Sequence, residues 1–316
     1  MTSMLSPIVV SLGGNALIPD RSGGSIEQQF RVTETSMIEV VHLLQLGHRV
    51  VLTHGNGPIV GNILIRNEAA ASIVPPTPLY ICGADSQGGI GYMAQQVLRN
   101  LLRQADVPIE VATIVTQMVV DAEDPGFQRP SKPIGPFYSE AEAHALERDR
   151  GWTLIEDCGR GWRRVVPSPE PRRIVEIASI RALVEAGHVV IAAGGGGVPV
   201  VETAPGVYRG VEAVIDKDLA SVVLAQAVGA HRLVIVTSVD RVALDYRTPR
   251  QRDLETLTLA EARRHLEAGQ FPPGSMGPKI LGAIRFLEGG GEEVLITSPA
   301  KLGEAFAGRA GTRVVR

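Results

Sequence analysis

Pro7-Ile8-Val9-Val10-Ser11-Leu12-Gly13-Gly14-Asn15 is the stretch on which the fold turns. A short run, apolar apart from Ser11, ends abruptly in paired glycines. A run so largely apolar over so few residues predicts a strand buried on both faces, as in a parallel sheet. The pattern recurs downstream. Arg49–Thr53 (RVVLT) runs into His54-Gly55-Asn56-Gly57-Pro58, and His188–Ala193 (HVVIAA) runs into Gly194-Gly195-Gly196-Gly197. Further strands are predicted over Glu110–Gln117, Leu233–Thr237 and Glu293–Thr297. Helical periodicity fills the gaps: Phe30, Met37, Val40, Val41 and Leu44 share one face, closed by Gly47, and further helices are predicted over 59–71, 90–104, 174–186, 219–228, 260–267 and 279–287. Strands alternating with amphipathic helices predict an α/β fold whose mainly parallel sheet is covered on both faces.

Residues 121–171 interrupt this rhythm with seven prolines and Gly159-Arg160-Gly161-Trp162. They read as an excursion carrying a small hairpin. A chain of 316 residues suggests two domains or lobes. Its net charge of −3 gives no general reason to bind nucleic acid or a membrane surface. Cys82 and Cys158, the only cysteines, are too few for a disulfide framework or a four-thiolate zinc site. The histidines show no metal-ligand spacing. Met1–Pro7 lacks the features of a signal peptide, and no apolar run approaches the ~18 residues of a membrane span. A soluble cytoplasmic protein is expected.

Of 31 basic residues only Lys132, Lys217, Lys279 and Lys301 are lysine. Lysine is a compact point charge where arginine is a planar fork, so few exchanges are neutral at a tight site. Lys132 lies among the prolines of the excursion. Lys217 lies between Asp216 and Asp218 before a helix. Lys279 follows Pro272-Pro273-Gly274-Ser275-Met276-Gly277-Pro278 and opens another. Lys301 reads as solvated surface. Ligands of an open α/β sheet bind beyond the carboxyl ends of its strands, and glycine there lets backbone amides approach an anion. Three glycine loops at one edge, with three lysines in marked contexts, point to a phosphate site. Phosphoryl transfer asks mainly for positive charge and N–H donors around the moving group, usually with magnesium. Asp216 and Asp218 either hold that magnesium or orient the lysines.

Two rival patterns are present. Gly89-Ile90-Gly91-Tyr92-Met93-Ala94 matches G-x-G-x-x-A, with Glu110 as ribose partner, but its preceding residues, 83–88, read as a loop instead of a strand. Ala84-Asp85-Ser86-Gln87-Gly88 resembles a nucleophile elbow, with Asp240 and His265 to complete a triad. Neither explains the glycine loops or the lysines.

The collinear segments Gly13–Ala16, His54–Pro58, Ser86–Tyr92, Lys132–Phe137, Gly159–Pro169, Gly194–Pro199, Gly210–Asp218 and Pro273–Lys279 make the chain resemble the carbamate kinases of the amino-acid-kinase superfamily over almost its whole length. The resemblance implies a three-layer αβα sandwich with a small protruding subdomain at about 121–171. Residues 1–228 would form the carbamoyl phosphate lobe and 229–316 the nucleotide lobe. It implies a homodimer that interconverts ATP plus carbamate with ADP plus carbamoyl phosphate, using magnesium. In catabolism, as in arginine metabolism, the useful direction makes ATP. Gly13, Gly14 and Asn15 would cradle the phosphoryl group, and Gly55, Asn56 and Gly57 would line the carbamoyl side. Lys132 would reach carbamoyl phosphate. Lys217 and Lys279 would neutralise charge, oriented by Asp218. Asp216, Thr237, Ser238, Val239, Val242, Tyr246, Ser275 and Met276 would border the nucleotide. The alternatives are a kinase of the same fold acting on another small acid, which Asn15 argues against because relatives carry lysine there, and a non-catalytic sensor of nucleotide or carbamoyl phosphate. Arg241 departs from the family pattern in the nucleotide region, as does Gly89 in the Ser86–Tyr92 segment. The loop Pro19–Ser25, with Arg21, has no clear family reading.

Overall fold

The computed structural model describes residues 6–17, 24–156 and 161–316. Arg21 and most of its loop, and Cys158, Gly159 and Arg160, lie outside them. In chain order the strands are β1 Ile8–Leu12, β2 Val50–His54, β3 Val111–Thr113, β4 Gln117–Val119, β5 Lys132–Tyr138, β6 Thr153–Glu156, β7 Trp162–Val166, β8 Arg173–Ile174, β9 Val189–Ile191, β10 Val198–Ala204, β11 Val207–Gly210, β12 Arg232–Val236, β13 Val242–Leu244, β14 Arg252–Leu254, β15 Thr256–Thr258, β16 Glu293–Thr297 and β17 Thr312–Val315. The helices are α1 Ile26–Gln45, α2 Gly57–Ala70, α3 Leu79–Gln104, α4 Glu140–Arg150, α5 Ile177–Glu185, α6 Lys217–Ala227, α7 Leu259–Glu267, α8 Met276–Glu288 and α9 Leu302–Phe306.

Among the described residues the main sheet has eight strands in the order β15-β17-β16-β12-β1-β2-β9-β3. The six from β16 to β3 run parallel, and β17 is antiparallel to β16. The opening strand therefore sits in the middle, and its residues alternate between two cores. Ile8, Val10 and Leu12 pack with α1 and α3 through Met37, Val40, Leu98 and Leu102. Val9 packs on the other side with residues of α5, α6 and α8, such as Val184, Leu224 and Ile284. Helices on both faces make the three-layer αβα sandwich.

The excursion is larger than a hairpin. It holds the antiparallel sheet β5-β7-β6 and helix α4, whose N-terminus is closed by a Ser139/Glu142 capping box. It meets the body where a Cβ on Gly61 of α2 would lie 3.4 Å from the Cα of Gly135.

Two expectations are corrected. The segment Glu110–Gln117 is not one strand: β3 ends the main sheet and β4 belongs to a second sheet, β11-β10-β4-β8. Gln87 pins the crossing by exchanging two hydrogen bonds with the backbone of Thr116. Residues 83–88 are not a loop but part of α3, whose first turn is held by the Glu212 carboxylate accepting from Leu79 N. The sequence hid this helix behind its four glycines, which are locally poor helix formers.

Candidate active site

β1, β2 and β9 are neighbours and parallel, so their three glycine loops emerge at one edge of the sheet. The loops do different work. Gly13 N–H donates to Val236 O and Gly55 N–H to Leu12 O, which stitches both loops to the strand ends. Gly14 and Gly55 lie so close that a Cβ on Gly55 would sit 3.1 Å from Gly14 N. Asn15 belongs to the turn Gly14–Ala16, its side chain lying outside what the structure describes. The third loop is a buttress. Gly194–Gly197 are buried, and a Cβ on Gly195 would lie 2.1 Å from Asn56 Nδ2 at a φ of +64°. Only glycine fits there.

Three helix N-termini converge on this edge. At α6, Asp216 is the N-cap and accepts from Asp218 N and Leu219 N through Oδ1. At α2, the N-cap Asn56 turns its side chain away and donates to Ser86 Oγ at 2.8 Å. At α8, Ser275 makes no side-chain cap either. Neither N-cap side chain takes the first-turn amides, which at α2 suits an anion, whereas at α8 the Gly277 N–H donates to Pro272 O and Pro278 has no N–H.

The lysines meet at carboxylates. Lys217 Nζ lies 2.8 Å from Asp218 Oδ1, and Lys279 Nζ donates to Asp218 Oδ2 at 2.9 Å and to Ser275 O at 3.2 Å. Lys132 Nζ, carried by β5 of the protruding sheet, donates to Asp216 Oδ2 at 2.7 Å. Burial on its own would raise the Asp218 carboxyl, but the Lys217 and Lys279 ammonium groups together outweigh it and hold the group far below the ordinary carboxylate range. Burial pushes Lys217 down, opposed by Asp218. His54, buried at the end of β2 with Nδ1 3.1 Å from Gly55 O, is pushed down to about 4, mainly by burial. It is neutral near pH 7 and supports the loop.

Two cavities join at α8. One, of about 220 Å³, is lined by Gly55, Asn56, Gly57 and Gly195, by all three lysines, and by Asp216 and Asp218. The other, of about 190 Å³, is lined by Thr237, Ser238, Val239, Tyr246 and Met276, with Arg241, Ala243, Gln270, Phe271 and Pro272. Ser275 and Lys279 line both. Asp216, expected beside the second cavity, lines the first. Val242 lines neither: it is fully buried in β13 and its N–H donates to Thr312 Oγ1. Ala243, Gln270, Phe271 and Pro272 were missed, although Phe271-Pro272-Pro273 directly precedes the glycine loop before Lys279.

The rival motifs dissolve. Ser86 is buried inside α3, bonded to Gly83 O and Asn56; Asp240 accepts from Ser298; and His265 lies in the last turn of α7. Gly89–Ala94 is mid-helix instead of a strand-to-helix turn, and Glu110 pairs with Arg99. Among the described residues no three His, Cys, Asp or Glu gather as metal ligands.

The amino acid kinase family matches residues 6–298 of the chain. It is 48% identical over 309 residues to a carbamate kinase of Pyrococcus horikoshii, covering 97% of this chain and 98% of that one. The chain belongs to the amino acid kinase family, among its carbamate kinases. A carbamate kinase-like protein of Escherichia coli is 47% identical, with 98% of each chain covered. The amino acid kinase structure of carbamate kinase from Giardia lamblia bound to AMP-PNP superposes with a TM-score of 0.90 at 42% identity, over 98% of each chain.

Proposed function

We propose that the protein is a carbamate kinase, transferring a phosphoryl group reversibly between ATP and carbamate to give ADP and carbamoyl phosphate. The observation that carries this reading is Asp218. One buried carboxylate holds two ammonium groups where two cavities join, and the uncapped N-terminus of α2 opens beside them. The nucleotide takes the cavity bordered by Thr237–Val239, Tyr246 and Phe271, within the lobe 229–316. Carbamoyl phosphate takes the cavity of Gly55–Gly57 and Lys132, which the lobe 1–228 lines for the most part and which Ser275 and Lys279 close from the other lobe. The phosphoryl group passes between them at Gly13–Asn15, Lys217 and Lys279. Fixed cations and amides of this kind stabilise charge spread over the equatorial oxygens without covalent help.

Both carboxylates in the site are already engaged by lysines, so they orient those lysines. Magnesium enters with the nucleotide, on its phosphates, as is usual for a cation that keeps most of its water. The lysines and helix ends supply the remaining charge. Among the described residues no helix is long and apolar enough to cross a membrane. A cytoplasmic homodimer working in the ATP-forming direction of catabolism completes the reading.

The test is ATP formation from ADP and carbamoyl phosphate with magnesium, in a coupled assay. Turnover supports the proposal. Folded protein that binds nucleotide but never turns over would be a sensor, and turnover confined to another acid in a substrate panel would reassign the acceptor.

A further inference from the structure

Ser11 interrupts an otherwise apolar strand at the centre of the main sheet and is fully buried. A hydroxyl there costs free energy unless it is bonded. By strand alternation it shares a face with Val9, the face covered by α6, and there it meets two groups. Lys217 Nζ lies 2.8 Å from Ser11 Oγ, and the Ser221 Oγ, also fully buried one turn along α6, lies 2.8 Å from it. Ser221 Oγ in turn lies 2.7 Å from the Lys217 carbonyl oxygen.

Proton counting fixes the circuit. An ammonium only donates and a carbonyl only accepts, while each hydroxyl has one proton. Ser11 Oγ therefore accepts from Lys217. With the Ser221 proton on the Lys217 carbonyl, the Ser11 proton is left for Ser221 Oγ. Lys217 Nζ thus donates to Ser11, forms an ion pair with Asp218 and lines the cavity.

We propose that Ser11, seated by Ser221, is a positioning residue that aims the Lys217 ammonium at the migrating phosphoryl group. It touches no substrate and acts only through Lys217. The proposal rests on the reading of Lys217 given under the proposed function, and it adds two residues that neither the glycine loops nor the lysine contexts of the sequence single out. Without Ser11 the buried ammonium keeps its charge partner but loses its second acceptor, so its direction is set by one contact instead of two. Ser11 itself lines neither cavity, so turnover changes more than substrate binding.

The experiment compares Ser11→Ala, Ser221→Ala, Lys217→Ala and the double variant Ser11→Ala/Lys217→Ala in the coupled assay. Thermal melts confirm folding, and Ser221→Ala serves should the strand variant not fold. Ser11→Ala is expected to lower kcat several-fold while KM for ADP and for carbamoyl phosphate stay within twofold. Ser221→Ala should shift kcat in the same direction by less. In the Lys217→Ala background, Ser11→Ala should have no further effect on kcat. A wild-type kcat in Ser11→Ala beside a crippled Lys217→Ala would overturn the positioning role and leave the kinase reading intact. A full additional loss in the double variant would overturn it too. A wild-type kcat in Lys217→Ala would instead overturn the reading beneath it.

Discussion

Asp218→Asn removes a charge while keeping the volume. Asp218 is 4% exposed and holds Lys217 at 2.8 Å and Lys279 at 2.9 Å, so the substitution leaves two ammonium groups near each other with no anion between them. Removing one partner of a buried ion pair costs about 3–5 kcal/mol. At about 2 °C per kcal/mol for a chain of this size, Tm falls by about 6–10 °C at neutral pH. The pH dependence has a definite sign. The native carboxyl titrates below its unfolded value, so its contribution is present above pH ~4 and is lost only as pH falls further. At neutral pH the variant forfeits all of it. Lys217 is already pushed down by burial, and without Asp218 it is pushed down further. Between its lowered native value and the unfolded ~10.4, the unfolded chain binds more protons, so the variant gains stability as pH rises through that window. The Tm deficit against wild type should therefore be larger at pH 6.5 than at pH 9. Scanning calorimetry at both values reads it, and kcat should fall by about 10²-fold or more as both lysines lose their anchor. Equal deficits at the two pH values, or a wild-type melt with wild-type turnover, would refute the reasoning.

Lys217→Ala and Lys279→Ala should each reduce kcat by about 10²-fold or more, measured with both substrates saturating. Lys132→Ala should raise KM for carbamoyl phosphate more than KM for ADP, because Lys132 lines only the cavity of Gly55–Gly57. Asp216→Asn should raise the same KM by freeing Lys132 while leaving Tm nearly unchanged, since asparagine caps helices as well as aspartate does; Asp216→Ala should cost about 1 kcal/mol more in urea unfolding. His54 titrates at about 4 in the fold against ~6.5 unfolded, so the stability that rests on its neutrality is complete above pH ~6.5 and is lost as pH falls toward 4. A His54→Gln variant should flatten that part of the urea-midpoint curve.

Much of this protein could be read along the chain. Buried parallel strands declare themselves by apolar runs, and the glycines after β1 and β2 marked the edge at which their loops meet beside the lysines. The scarcity of lysine against arginine marked Lys132, Lys217 and Lys279, and all three line one cavity. These features are local in sequence or compositional, so they survive without coordinates. Helix α3 was half hidden because its glycines contradict helix propensity and only packing overrides them. The family resemblance placed Val242 beside the nucleotide, but it is fully buried in β13, paired with Leu254 of β14.

By itself, then, the sequence determined the layered α/β architecture, the sheet edge at which the glycine loops emerge and the lysines that gather there. The tertiary structure alone decided which helix ends stay uncapped, which carboxylate each lysine takes, and that Ser11 reaches Lys217 across 206 positions of chain. Periodicity and composition are properties of neighbouring residues, whereas a hydrogen bond between distant residues exists only once the core has folded and set its ends within 3 Å of each other.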